Sequence, residues 1–171
     1  DCLLSRGLGD VYKRQGMAVG LGAFALLSAG SVEFENGMAR ANTMAEVGAG
    51  QLNIYKKQIQ DIATVVPKAK KELSEGLYNT ISAGVPQNNW ISFLNDSAKA
   101  SVAGNAELGV VVDATSSTIK AYADQWENAA VVQDRFQKTV QLGQIPSLQA
   151  LATALPRVTA VGAKLKVSQE E

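Results

Sequence analysis

The sequence predicts an all-α fold of about six to eight helices, joined by short turns marked by glycine and proline, with no sheet. Three observations predict it. Apolar residues recur at steps of three and four along most of the chain, the period that gathers side chains on one side of an α-helix. Breakers such as Gly84-Val85-Pro86 and Gly143 with Pro146 fall between those runs, where a chain that must turn places them. The hydrophobic fraction is 46% but aromatics only 6%, so the core must be built mainly from Ala, Val, Leu and Ile.

Residues 1–15, DCLLSRGLGDVYKRQ, show no amphipathic period and read as a non-native, adapter-like leader outside the fold. The helical domain is expected over residues 16–167. It opens with Gly16–Val32, an uncharged stretch rich in Gly, Ala and Ser. That stretch falls just short of the roughly 20 apolar residues a membrane span needs. It reads as a buried packing helix, with a membrane-active segment and a signal sequence as alternatives. Gly20, Gly22 and Ala25 fit the GxGxxA pattern of a dinucleotide-binding turn, but no strand precedes them and no βαβ unit follows, so that reading is set aside.

Phe34, Met38, Ala41 and Ala45 then mark a helix, which breaks at Gly48-Ala49-Gly50. Leu52, Tyr55, Ile59, Ile62 and Val66 step by three and four up to Pro67, which pushes the residue before it off helical geometry. Ala69, Leu73, Leu77 and Ile81 step by four to the stop at Gly84-Val85-Pro86. Trp90, Leu94 and Ala98 give the next face, with Asn88 or Asn89 placed to cap its start. Leu108, Val111, Val112, Thr115, Ile119 and Tyr122 follow. Val110 to Val112 alone would suit a strand, but the period over four turns decides for a helix.

Trp126, Ala129, Val132, Phe136 and Val140 lead to Gly143, a natural helix stop because glycine takes positive φ without a Cβ clash. Pro146 suits a first helical turn, where an N–H has no intrahelical partner. Leu148, Leu151, Ala152, Leu155, Val158, Val161, Gly162 and Leu165 form one apolar stripe, read as a packing element. Pro156 should kink that helix or split it in two, because it lacks an N–H and clashes with the preceding turn. Residues 168–171 carry the S-x-x-E capping box, Ser168 with Glu171, and read as the truncated start of a further helix.

Charge and composition exclude several functions. Lys+Arg 16 balance Asp+Glu 16, which argues against the cationic surface that phosphate contacts require, so no specific nucleic-acid partner is expected. Lys68, Lys70 and Lys71 are followed by Glu72 and Glu75 and read as a solvated helix face. The chain has no histidine, which removes Ser-His-Asp and Cys-His nucleophiles and His-based metal sites. Its one cysteine, Cys2, can form neither an internal disulfide nor a multi-cysteine zinc site. Glu33 and Glu35 point apart on a helix, so they make no acid/base pair. No catalytic, cofactor-binding or metal-binding residue is expected, no cofactor, and no enzyme activity.

Six runs in order, VEFENGM, LYNTISAGV, AKASVAG, VVVDATSSTIKAYA, DRFQKTVQLGQ and ALPRVTAVGAKLKVS, resemble the core region of phage tail tape measure proteins. The chain departs from that pattern at Pro156, where the family often has a small residue, and at Lys166, where it often has glycine. The resemblance implies a structural virion protein of a tailed phage or prophage, made in the cytoplasm of the bacterial host. Such proteins are long helical rods in the tail tube that set tail length. The tail tube protein, tail assembly chaperones, further copies of the chain and the host membrane are the partners it implies. An α-helix rises about 1.5 Å per residue, so a helical rod converts chain length into distance. The alternative, from a different class, is a membrane-active helical segment acting in genome delivery or pore formation at the host membrane. Gly16–Val32 and the abundant small residues, which allow close helix approach in lipid, support it.

Overall fold

The 3–4 spacing of apolar residues becomes seven α-helices among the residues that the computed structural model describes, 30–122, 126–143 and 145–165. Helix α1 covers residues 30–45. It is followed by α2 (Ala49–Val65), α3 (Lys70–Ser82), α4 (Trp90–Ala103), α5 (Leu108–Tyr122), α6 (Ala129–Gln141) and α7 (Leu148–Lys164). Single 3₁₀ turns, Gln87–Asn89 and Trp126–Asn128, lead into α4 and α6. No strand occurs among the described residues, so the expected all-α class stands. The leader over 1–15, the GxGxxA pattern, most of Gly16–Val32 and the helix announced at 168–171 lie outside the described residues.

Helix α5 is the hub. It packs against α3, α4, α6 and α7, its closest partnership being with α7. Its buried residues, among them Val111, Val112, Ala114, Thr115, Thr118 and Ile119, occupy most of its circumference, as a helix surrounded by others requires. The three valines that suggested a strand are the third to fifth residues of this helix. One continuous core links all seven helices, from Phe34 and Met38 of α1 through Ile59, Leu77, Phe93 and Val112 to Phe136 and Leu148. Burial of those aliphatic and aromatic side chains, at about 25 cal/mol per Å², is the main stabilising term.

The α1–α3 corner is held at its surface by charge. Lys71 pairs with Glu33 at 3.4 Å, Lys56 of α2 pairs with Glu35, and the Arg40 guanidinium lies 4.6 Å from the centre of the Tyr78 ring. Exposed pairs of this kind add up to about 1 kcal/mol each and serve mainly to fix the approach of the helices.

The helix ends follow local chemistry. In α3 the chain takes positive φ (73°) at Gly84, and Val85 N–H reaches back to the Thr80 carbonyl at 3.4 Å, a Schellman closure that buries Val85. In α4 the same closure puts positive φ (46°) on Asn105, with Ala106 N–H donating to the Ser101 carbonyl at 2.8 Å. Gly143, at φ 74°, ends α6 as expected. Val66, before Pro67, is extended at φ −106° and ψ 127°, which ends α2 where the proline requires it.

Four expectations need correction. Asn89 occupies the cap position of α4 but makes no side-chain bond to its first turn. The 3₁₀ turn does that work with backbone, Asn89 N–H donating to the Pro86 carbonyl at 2.9 Å. Pro146 lies before α7 rather than in its first turn, and Ser147 caps the helix by accepting Ala150 N–H at 3.1 Å. Gly48-Ala49-Gly50 is only partly a break, since Ala49 and Gly50 already belong to α2 and the turn falls at 46–48, with Glu46 at φ 50°. Pro156 does not split α7, which runs unbroken through it. The proline costs the bond to the carbonyl four residues back. Burial on both sides of it, of Leu148, Leu151 and Ala152 before and Thr159 after, in a helix packed against α5, holds the helix together.

Candidate functional site

The sequence named no catalytic, cofactor or metal residue, and the described residues contain no group of three or more Cys, Asp or Glu that could hold a metal ion. Glu33 and Glu35 turn to different helices, Glu33 to Lys71 of α3 and Glu35 to Lys56 of α2, so they form no carboxylate pair. Lys68 pairs with Glu72 one turn on at 2.6 Å, and Lys71 with Glu33. Two of the three lysines of the cluster are therefore engaged with carboxylates.

Two clefts flank α6. The smaller, about 220 Å³, lies between α4 and α6 and is lined by Asp96, Lys99, Gln133, Asp134 and Gln137. Its floor is a polar junction of three helices. The buried Gln133 amide donates to Ser97 Oγ of α4 at 2.9 Å and, more weakly, to Thr115 Oγ1 of α5 at 3.4 Å. Burial pushes the Asp96 carboxyl above its ordinary value, and Lys99 offsets this only in part. A raised folded-state value means that ionisation works against folding. The penalty is present at neutral pH, shrinks as pH falls below the folded-state value and is gone below the ordinary carboxylate value. Asp96→Asn should therefore raise the melting temperature at pH 7, and the gap to the parent should close in acid. Thermal melts followed by circular dichroism at pH 7 and pH 3 check this. A lower melting temperature at pH 7 would show that the carboxylate has a partner stronger than its desolvation.

The larger cleft, about 450 Å³, is a groove between α6 and the second half of α7, floored by the end of α5. Val132, Phe136, Leu151 and Leu155 form its apolar bed, and Tyr122, Arg135, Val158, Val161 and Leu165 its margins. Two of its hydroxyls are turned inward to their own helices. Thr118 Oγ1 donates to the Ala114 carbonyl and Thr139 Oγ1 to the Arg135 carbonyl, both at 2.9 Å. What remains is a surface that takes apolar side chains and offers no acid/base pair and no ligand set.

This groove corrects the reading of the last stripe as wholly a packing element. Leu148, Leu151 and Ala152 are buried, but Val158, Val161 and Leu165 are 61%, 56% and 71% exposed. On a helix of 100° per residue these three lie toward one edge of the stripe, away from α5. The sequence signal for the groove was present as an apolar stripe wider than one partner helix covers. The period alone could not say which part of it lacked a neighbour.

The family described as "Phage-related minor tail protein" matches residues 56–171. A "Probable tape measure protein" of Clostridium phage phiCD119 is 27% identical over 165 residues, covering 91% of this chain and 17% of that relative. No solved structure matches the chain.

Proposed function

The chain belongs to the phage-related minor tail protein family, and on that premise we propose that it forms one helical domain of a tape measure protein, which helps set tail length while occupying the tail tube during assembly. The observation that carries this is the family match over residues 56–171 together with the likeness to a probable tape measure protein along 91% of the chain. The chain spans 17% of that relative's length, and in this reading the domain is one portion of a longer helical rod. In this reading residues 16–167 are the domain. Its partners are the tail tube protein, tail assembly chaperones and further copies of the same protein, and it is made in the bacterial host cytoplasm before entering the virion. The domain contributes shape and contact and no catalysis.

No helix among the described residues is long and apolar enough to cross a membrane. The test uses a culturable phage carrying the intact parent gene. A helical segment of known length is inserted after this domain, and tails are measured by electron microscopy. Tails should lengthen by about 1.5 Å per inserted residue. Tails of unchanged length, with the protein still present in virions, would show a tail component that does not act as the ruler.

A further inference from the structure

We propose that this domain is a compact unit of fixed length within the tail ruler. It keeps its fold inside the tail and adds no more than its own diameter, so the counting of length falls to other parts of the parent protein. The proposal rests on the tape measure reading and states which kind of segment that ruler counts.

The first argument is distance. A ruler that works at about 1.5 Å per residue needs residues far apart in sequence to be far apart in space. Extended as one helix, residues 30–165 would span about 200 Å. Here the chain doubles back instead. Lys71 reaches Glu33, 38 residues away, at 3.4 Å. Gln133 reaches Ser97, 36 residues away, at 2.9 Å. Glu107 N–H donates to Gln149 Oε1, 42 residues on, at 2.8 Å. On one continuous helix that last pair would stand about 63 Å apart. The longest helices among those described, α2 and α7, have 17 residues each, or about 25 Å. A compact chain of this size measures about 35–40 Å across, roughly one-fifth of the length of the same chain as a single helix.

The second argument is that the domain has no route to a rod. Pro67, Pro86 and Pro146 all lie in the connections, and each lacks the N–H that a helix running through it would need. Val66 is extended before Pro67, and Gly84, Asn105 and Gly143 take positive φ at the ends of α3, α4 and α6. The helices therefore do not join into one when pulled apart. Separation also removes what holds them. Helix α5 is buried around most of its circumference, and helices of 13–15 residues such as α3, α5 and α6 are marginal on their own. Pro156 is tolerated in α7 because its flanks are buried, and opening would expose them. An opened domain is a string of unstable short helices with no defined length.

Two measurements on a culturable phage carrying the intact parent gene test this. The first is tail length. A second copy of residues 30–165 is inserted in frame after the first, and in a parallel phage a continuous helix of the same number of residues is inserted instead. Electron microscopy should show the continuous helix lengthening tails by about 200 Å and the extra domain by no more than about 40 Å. Equal lengthening by the two inserts would overturn the proposal, because the domain would then open in the tail and be counted residue by residue. Lengthening by neither insert would sink the ruler reading and this proposal with it, and the continuous helix alone tells that failure from the first.

The second measurement uses the unaltered protein in purified tails. A water-soluble carbodiimide condenses a lysine amine and a carboxylate in contact into an amide. Lys68 and Glu72, four residues apart at 2.6 Å, report that the reagent reaches the domain. Lys71 and Glu33 lie on different helices, are both about half exposed and meet only in the fold. Mass spectrometry of the digested tails should find both linked pairs. Recovery of the Lys68–Glu72 link without the Lys71–Glu33 link would show a domain opened in the tail and would overturn the proposal.

Discussion

Phe93→Ala should lower the stability of the domain by about 3–5 kcal/mol, the range for truncating a fully buried aromatic residue. Phe93 is 1% exposed and ranks first by volume among the fully buried side chains. Its ring meets Trp126 edge-on at 5.9 Å between centroids, which adds a quadrupole contact to its buried area. The site has little freedom to collapse. Leu94 and Ala98 beside it on α4 are 0% exposed, and Val112 of α5 is too. A domain of this size has about 5–15 kcal/mol in total, so the loss is a large share. With a urea slope of about 2 kcal/mol per M, the midpoint should fall by roughly 1.5–2.5 M. Urea titrations followed by circular dichroism and by tryptophan fluorescence report it, the latter because Trp126 loses its ring neighbour. A fall below about 1 kcal/mol would mean that α4 moves in to fill the space, and that the ring is filler rather than a keystone of the core.

The helix-by-helix order of this domain is legible in its sequence because each helix carries its own apolar period and most turns carry their own breaker. Which residues are buried is less legible. The stripe Trp90, Leu94, Ala98 names one side of α4, yet Phe93, Ser97 and Ser101 are equally buried. A helix gripped by α3, α5 and α6 needs more than one stripe, and the second one here is partly polar. Serine and threonine can enter such a core by bonding backward along their own helix. Thr80, Thr115 and Thr118 do so, each to the carbonyl four residues before. Gln133 enters because Ser97 and Thr115 receive its amide, a match made across three helices that no local window contains.

The groove is half legible for a related reason. Most of its apolar residues belong to the stripe that runs through α7. That α6 stops short of covering Val158, Val161 and Leu165 is a fact of tertiary placement. Pro156 misleads in the same way. The local cost of a mid-helix proline is real, but it is outweighed by burial on both sides, and only the fold reveals that burial.

Gly104→Ala should destabilise the domain, although local backbone reasoning predicts the opposite. Gly104 has φ −96° and ψ 4°, a conformation open to any L residue. An unhindered glycine-to-alanine change there would stabilise by about 0.4–1 kcal/mol through the unfolded chain. The positive φ of this helix end belongs to its neighbour Asn105 instead. What requires glycine is the approach of α7. A Cβ at position 104 would lie 2.2 Å from Leu148 Cδ2, 2.6 Å from its Cβ and 2.9 Å from its Cγ. Rotating Leu148 can relieve the first of these contacts, but its Cβ is fixed to the backbone, so the start of α7 must shift. That start is pinned nearby, with Glu107 N–H donating to Gln149 Oε1 at 2.8 Å and Ser147 holding the cap. Overpacking of this kind costs typically 1–3 kcal/mol, which exceeds the entropic gain. The net loss should therefore be about 1–2 kcal/mol, the difference between those two effects. Leu148→Ala alone should cost about 2–5 kcal/mol by opening a cavity at a residue that is 1% exposed. Because the added methyl partly fills that cavity, the double variant should lose less than the sum of the two, by about 0.5–3 kcal/mol of coupling. Asn105→Gly serves as the control, since it relaxes positive φ without touching Leu148, and it should be neutral or slightly stabilising. Urea midpoints of the four variants decide the matter. If Gly104→Ala stabilises, or if the two losses simply add, then α4 and α7 do not meet at this glycine.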